Sequence, residues 1–136
     1  MFVEIVSPSG RVFSGEAKGI RAPGVEGSFE VLSNHAAMIA GIDIGSLVIT
    51  DKNGQAITFA TSGGFVEVAD NVVTVLAESA ELASQIDVER AKAAEQRAVD
   101  ALASSLDPET KARMTKALDR ARNRARIAVA AVGQKR

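Results

Sequence analysis

Over the first 80 residues, apolar and polar positions alternate in short stretches of β-branched residues; beyond them apolar residues recur three and four apart. FVEIVS (2–7) runs into the turn residues Pro8, Ser9 and Gly10. RVFSG (11–15), GIRAP (19–23), GSFEVL (27–32), SLVIT (46–50) and AITFA (56–60) follow, set apart by Gly, Pro, Asn or Asp. GFVEVADNVVTVLA (64–77) predicts a hairpin closed at Asp70-Asn71, because Asp and Asn tolerate the positive φ of two-residue turns. Many short strands with regular turns predict an antiparallel β-sandwich over residues 1–84. The paired glycines in TSGGF (61–65) predict a close backbone approach or a bulge.

Residues 85–136 have helical period. Asp87 suits an N-cap, with Glu89 in the first turn, where the helix dipole favours an anion. Ala91, Ala94, Ala98 and Leu102 define one face. SSLDPE (104–109) stops this helix and starts another, with Asp107 as N-cap and Pro108 at the first helical position. Met114, Leu118, Ala121, Ala125, Ala128 and Val132 continue at spacings of four and three. The expected fold is thus α+β: the sandwich, then an antiparallel α-helical hairpin. A buried alanine contributes about 0.8 kcal/mol, against roughly 1.5–3 for leucine or phenylalanine. The hairpin therefore combines high helix propensity with weak tertiary grip, as a movable element would, although a statically docked hairpin fits the same pattern.

Charge sharpens the division. The net charge of −1 conceals an excess of six acids in residues 1–84 and of five bases in residues 85–136. From Lys111 onward there are nine basic residues and one acid, Asp119. A basic segment on an acidic body suits an anionic partner, though a solvated helix face has the same composition. With no cysteine among the 136 residues, disulfides and Cys-based zinc sites are excluded. No apolar run approaches a membrane span and no basic, apolar leader is present, so the expected place is cytosolic or peripheral, with a bacterial source favoured. No Walker-type phosphate loop, GxGxxG stretch or nucleophile elbow occurs, and the lone His35 would have to serve any triad. The acidic sandwich and the scarcity of stacking aromatics argue against nucleic acid.

Three stretches together resemble the ε subunit family of the F-type, proton-translocating ATP synthase. GSFEVLSNHAAM (27–38) is similar to the family's segment of turn, strand and Pro-Gly-His-Ala-Pro-Leu loop. SGGFVEVADNVVTVLAESAE (62–81) looks like its most characteristic hairpin, and IDVERA (86–91) matches its Ile/Leu-Asp-x-x-Arg-Ala signature. The departures are Ser33-Asn34 for Pro-Gly, Ala37 for the following Pro, and Ser28 where some members carry a second acid after Glu26-Gly27.

The resemblance implies a non-catalytic rotor subunit of the central stalk, on the cytoplasmic face of a bacterial inner membrane and attached to it only through protein subunits. Its partners would be the γ shaft, the c-ring, and the α and β subunits. Glu26, Gly27, Ser28 and His35 would face the c-ring and γ. An extended hairpin would bring Arg113, Lys116, Arg120, Arg122, Arg124 and Arg126 to acidic segments of β and oppose ATP hydrolysis.

No cofactor is required, but some members bind ATP as a signal. Glu81, Ile86, Asp87, Arg90, Ala91 and Arg97 match that pattern, with Arg120 and Arg124 on the second helix; the same residues could equally form a helix cap and ion pairs with Glu89, Glu95 and Asp119. Two other readings stand beside the rotor: a free-standing ATP-sensing module, and a small hydrolase using His35. A rotor subunit needs an apolar side surface for γ, which a free-standing sensor does not.

Overall fold

The computed structural model describes residues 1–104 and 107–134; Ser105 and Leu106, in the predicted break between the helices, lie outside the described residues. The chain forms two compact units, Met1–Leu82 and Ala83–Arg136. A single 3-10 turn, Ala83–Gln85, leads into the helices and belongs with them, so the division falls two residues before the boundary expected at 84.

The first unit has seven strands: β1 (Phe2–Ser7), β2 (Gly10–Ala22), β3 (Phe29–Leu32), β4 (Met38–Asp51), β5 (Ala56–Ala69), β6 (Val72–Ala77) and β7 (Ala80–Leu82). The stretches expected as separate strands at 11–15 and 19–23 are one strand, as are 56–60 and 64–69, and β4 begins eight residues before the expected 46. These long strands change partners along their length. β2 pairs with β1 through Gly10–Glu16 and with β3 and β4 through its second half. β5 pairs with β7 at Phe59–Thr61 and with β6 at Gly64–Ala69, while β4 follows it throughout.

Their halves accordingly belong to two layers. One holds the start of β4, the end of β5, β6, β1 and the start of β2. The other holds β3, the end of β2, the end of β4, the start of β5 and β7. β1 pairs in parallel with β6 and antiparallel with β2, so the path β1-β6-β5-β4-β2 closes on itself. Closure satisfies edges that would otherwise recruit another chain.

Period-two alternation fills the space between the layers. Val3, Ile5, Val66, Val68, Val73 and Val75 point in from one; Ile20, Val31, Leu47, Ile49 and Phe59 point in from the other, all in one buried cluster. Phe13 and Phe59 meet edge to face at 6.0 Å, a geometry aromatic quadrupoles favour. The glycines at 63 and 64 allow a close approach rather than ending the strand, since β4 keeps one register on either side of Gly63, pairing Ile42 with Gly64 and Ile44 with Ser62.

The second unit holds α1 (Val88–Ala103) and α2 (Pro108–Gln134). Oδ1 of Asp87 accepts the Arg90 N–H at 2.9 Å, and Oδ2 of Asp107 accepts the Thr110 N–H at 3.1 Å and its hydroxyl at 2.8 Å; both are N-caps in the expected places. Ala91, Leu118, Ala125 and Ala128 of the expected stripes are buried. Val132 is not: it stands 49% exposed, while Ile127 and Asn123, off the stripe, are buried.

Candidate functional site

Two surfaces carry the candidate residues, one on each unit. On the first, Gly24–Gly27 is a turn in which the Gly27 N–H donates to the Gly24 carbonyl at 3.0 Å. Gly27 has φ 125°, which an L side chain rarely adopts. Gly24 could not bear a side chain either, for a Cβ there would meet the Gly27 oxygen at 2.4 Å. The turn lies along β4, the Val25 N–H donating to the Gly41 carbonyl at 3.0 Å. Val25 and Glu26 are exposed at its tip, and Ser28 Oγ donates back to the Ala22 carbonyl at 3.3 Å. Between this turn and the start of β4 runs a groove of about 540 Å³, lined by Val25, Phe29, Met38 and Ile39 among others.

His35 stands apart from Glu26, Gly27 and Ser28, beyond the far end of β3. It is exposed, with Nδ1 2.7 Å from the Ala36 carbonyl oxygen. That contact puts the proton of a neutral ring on Nδ1 and leaves Nε2 as an acceptor.

The outer face of the β4-β5-β6-β1 layer was not singled out from the sequence. Phe65 lies opposite Leu76, and Leu76 opposite Val6; in the next row, Ile39 is opposite Glu67, Glu67 opposite Thr74, and Thr74 opposite Glu4. Ile39 is 76% exposed, Phe65 59% and Leu76 52%. Val25 extends the patch, its methyls 3.5 Å from where a Cβ of Gly41 would lie. An exposed, contiguous apolar patch of this kind marks an interaction surface. The signal was present in GFVEVADNVVTVLA: Val66, Val68, Val73 and Val75 occupy the inward parity, so Phe65, Val72 and Leu76 must be apolar residues facing out.

On the second unit, Arg113, Lys116, Arg120, Arg122 and Arg126 are exposed along α2 and Arg124 is half-buried. Arg122 Nε is 3.6 Å from a carboxylate oxygen of Glu95 on α1, and an Arg126 guanidinium nitrogen donates to Asn123 Oδ1 at 2.6 Å. The Glu95 pair joins the two helices, so one base with a proposed outside partner is also used inside the hairpin.

Of the ATP-pattern residues, Ile86 and Ala91 are buried, Asp87 caps α1, and Arg90, Arg97 and Arg120 are exposed. Glu81 belongs to the first unit, on β7 opposite Ala60. Spacings of seven and four keep Arg90 with Arg97, and Arg120 with Arg124, on one side of their helices. Among the described residues no cluster of His, Asp and Glu could hold a metal ion, and no helix is long and apolar enough to cross a membrane.

Comparison with known proteins bears on both units. Residues 1–83 match the family model for the ATP synthase delta/epsilon chain β-sandwich domain, and residues 84–129 that for the same chain's long α-helix domain. An ATP synthase epsilon chain of Salinibacter ruber is 57% identical over 104 residues, 71% of this chain and 70% of that one. One from Nitratidesulfovibrio vulgaris (strain DP4) is 44% identical over 127 residues, 93% of this chain and 94% of that one. Among solved structures, a chain in a Tetrahymena thermophila mitochondrial ATP synthase central stalk and c-ring shares the fold with TM-score 0.68 at 20% identity, covering 94% of this chain and 96% of that one.

Proposed function

This chain belongs to the ATP synthase delta/epsilon chain family, and from that premise we propose how its two surfaces serve a rotor. It is a non-catalytic epsilon chain of the central stalk, part of the membrane-associated ATP synthase complex. Its contribution to ATP synthesis is mechanical: the sandwich binds γ and rests on the c-ring, so that rotation driven by proton flow reaches the α/β hexamer. The observation that carries this reading is the exposed patch of Ile39, Phe65 and Leu76 beside Val25. A free-standing sensor has no use for it, whereas a shaft of complementary shape would bury it at about 25 cal/mol for each Å² removed from water.

Within that patch, Glu67 and Glu4 flank Thr74 across three strands, and Arg11 lies 3.3 Å from Glu4. The γ surface that covers the patch is thus apolar with a basic residue opposite Glu67. The turn at Glu26, Gly27 and Ser28, and the His35 turn, face the c-ring at the cytoplasmic side of a bacterial inner membrane.

The hairpin regulates. In its closed form α1 and α2 pack together, with the Glu95–Arg122 pair between them; extended, it presents Arg113 through Arg126 to acidic segments of β and opposes hydrolysis. ATP, held by Arg90, Arg97, Arg120 and Arg124, favours the closed form. An affinity pull-down of the tagged chain from detergent-solubilised membranes tests the central assignment. Recovery of γ with α, β and c is the expected result, and recovery of the chain alone would reject it.

A further inference from the structure

Two turns of the sandwich are joined through one side chain. In the first, Leu32–His35, the His35 N–H donates to the Leu32 carbonyl at 3.2 Å, and Asn34, its third residue, has φ 64° while Ser33 keeps a negative φ. A positive φ at the third position alone is the type II pattern, most secure with Pro second and Gly third. This chain has Ser33 and Asn34 there. It lacks both the fixed φ of proline and the freedom of glycine. Instead, the Asn34 N–H donates to Oδ1 of Asn71 at 2.8 Å, across 37 residues of sequence.

Asn71 ends the β5–β6 turn, where Asp70 and Asn71 have φ 51° and 63°. Two consecutive positive φ values mark a type I′ hairpin turn, for which Asp-Gly is a preferred pair. Glycine at 71 would therefore serve the hairpin at least as well. What it could not supply is the side-chain oxygen.

We propose that Asn71 is a positioning residue: its carboxamide oxygen holds the Leu32–His35 turn in the form that presents His35 and Ala36 to the c-ring. The assignment rests on the reading that this turn meets the c-ring. The hydrogen bond is made on the surface, where a mobile turn would otherwise sample several conformations, and it ties the turn to a hairpin whose strands are paired on both sides.

Asn71→Gly removes the oxygen and keeps the hairpin turn; Asn71→Asp keeps an acceptor. In the full chain, solvent exchange of the Asn34 amide, followed by ¹⁵N NMR, should quicken about fivefold in N71G, the loss of one ordinary hydrogen bond, and stay near wild type in N71D. In the assembled synthase, a photoreactive residue in place of Ala36 should label c subunits. The yield should fall in N71G and recover when S33P and N34G are added, which preorganise the turn by themselves. Unchanged Asn34 exchange in N71G overturns the assignment, as does faster exchange with unchanged labelling. If the otherwise wild-type synthase labels no c subunit, the c-ring reading falls and takes the positioning role with it; the exchange rates still report separately whether Asn71 holds the turn.

Discussion

Gly64 lies under the carbonyl of Leu76: a Cβ added at position 64 would stand 2.0 Å from that oxygen, and the residue's φ is 142°. Strand β6 can therefore close on β5 only because position 64 has no side chain. Gly64→Ala should destabilise the sandwich by roughly 3 kcal/mol, since backbone must move on both strands. Gly54→Ala is the control: φ is 83° but nothing lies within 4 Å of its Cβ, so only the backbone strain of about 1 kcal/mol remains. Urea unfolding of the full chain compares the two, and equal midpoints would contradict the close-approach account.

Phe65 and Leu76 face each other across β5 and β6 with more than half of each side chain exposed. Replacing both with Thr, which suits a strand, should leave the melting temperature nearly unchanged because exposed substitutions shift stability by about 0.5 kcal/mol or less. Affinity for purified γ should fall by at least ~30-fold, the loss expected for central anchors of an interface. Retained affinity would place the γ contact elsewhere.

Hydrogen bonds from the Thr110 side chain and backbone hold the Asp107 carboxyl below its ordinary pKa. A lowered folded-state value means the cap stabilises α2 above the unfolded-state pKa and loses that contribution as pH falls through the folded one. The start of α2 should therefore fray on acidification below about pH 4. Asp107→Ala should fray it already at neutral pH, whereas Asp107→Asn retains a capping oxygen. Circular dichroism of the three proteins across pH 2.5–7, a span set by ordinary carboxylate titration, separates these cases; identical acid transitions in wild type and D107N would remove Asp107 as their cause.

Arg122 cannot serve Glu95 and a β subunit at once. Glutamine at 120, 122, 124 and 126 together should raise ATP hydrolysis by the assembled enzyme, because the extended hairpin loses its anionic target. Glu95→Gln acts in the opposite direction: it frees Arg122 and should lower hydrolysis, by about fivefold at most, since exposed ion pairs are worth ~1 kcal/mol or less. Changes of the same sign in both variants would refute the competition.

Calorimetry of the isolated chain with millimolar ATP should give heat that disappears when Arg90 and Arg97 are both replaced by Gln. Wild-type protein without heat at that concentration would exclude a physiological ATP sensor.

The helices and their caps were legible because Asp87, Asp107 and Pro108 signal locally, through groups one turn away. The first half of β4 was not. MIAGIDIG places Gly41, Asp43 and Gly45 where a strand pattern expects side chains, yet Gly45 is required: a Cβ there would lie 2.6 Å from Pro23. Gly45 is thus a site of close approach inside a strand and not a break in it; the Gly63-Gly64 pair, for which the sequence already predicts a close approach, lies within one continuous β5 where two stretches were expected. Within the candidate site, the individual bases and His35 could be named from sequence. The apolar face could have been read from Phe65, Val72 and Leu76 at outward parity, but its rows depend on register. The Asn71–Asn34 bond depends on two turns meeting and leaves no local trace.

The ring of strands closes where Phe2 meets Val72, 70 residues later and in parallel. As the chain leaves a ribosome, β1 can pair with β2 at once, but its other edge stays open until residues 72–77 emerge. At about 5–20 residues per second this interval lasts several seconds, with apolar Phe2 and Val6 beside an unpaired backbone. The order of synthesis thus makes the first strand both the earliest hairpin arm and the last seam to be sealed, and it is during translation that this sandwich is most open to a wrong partner.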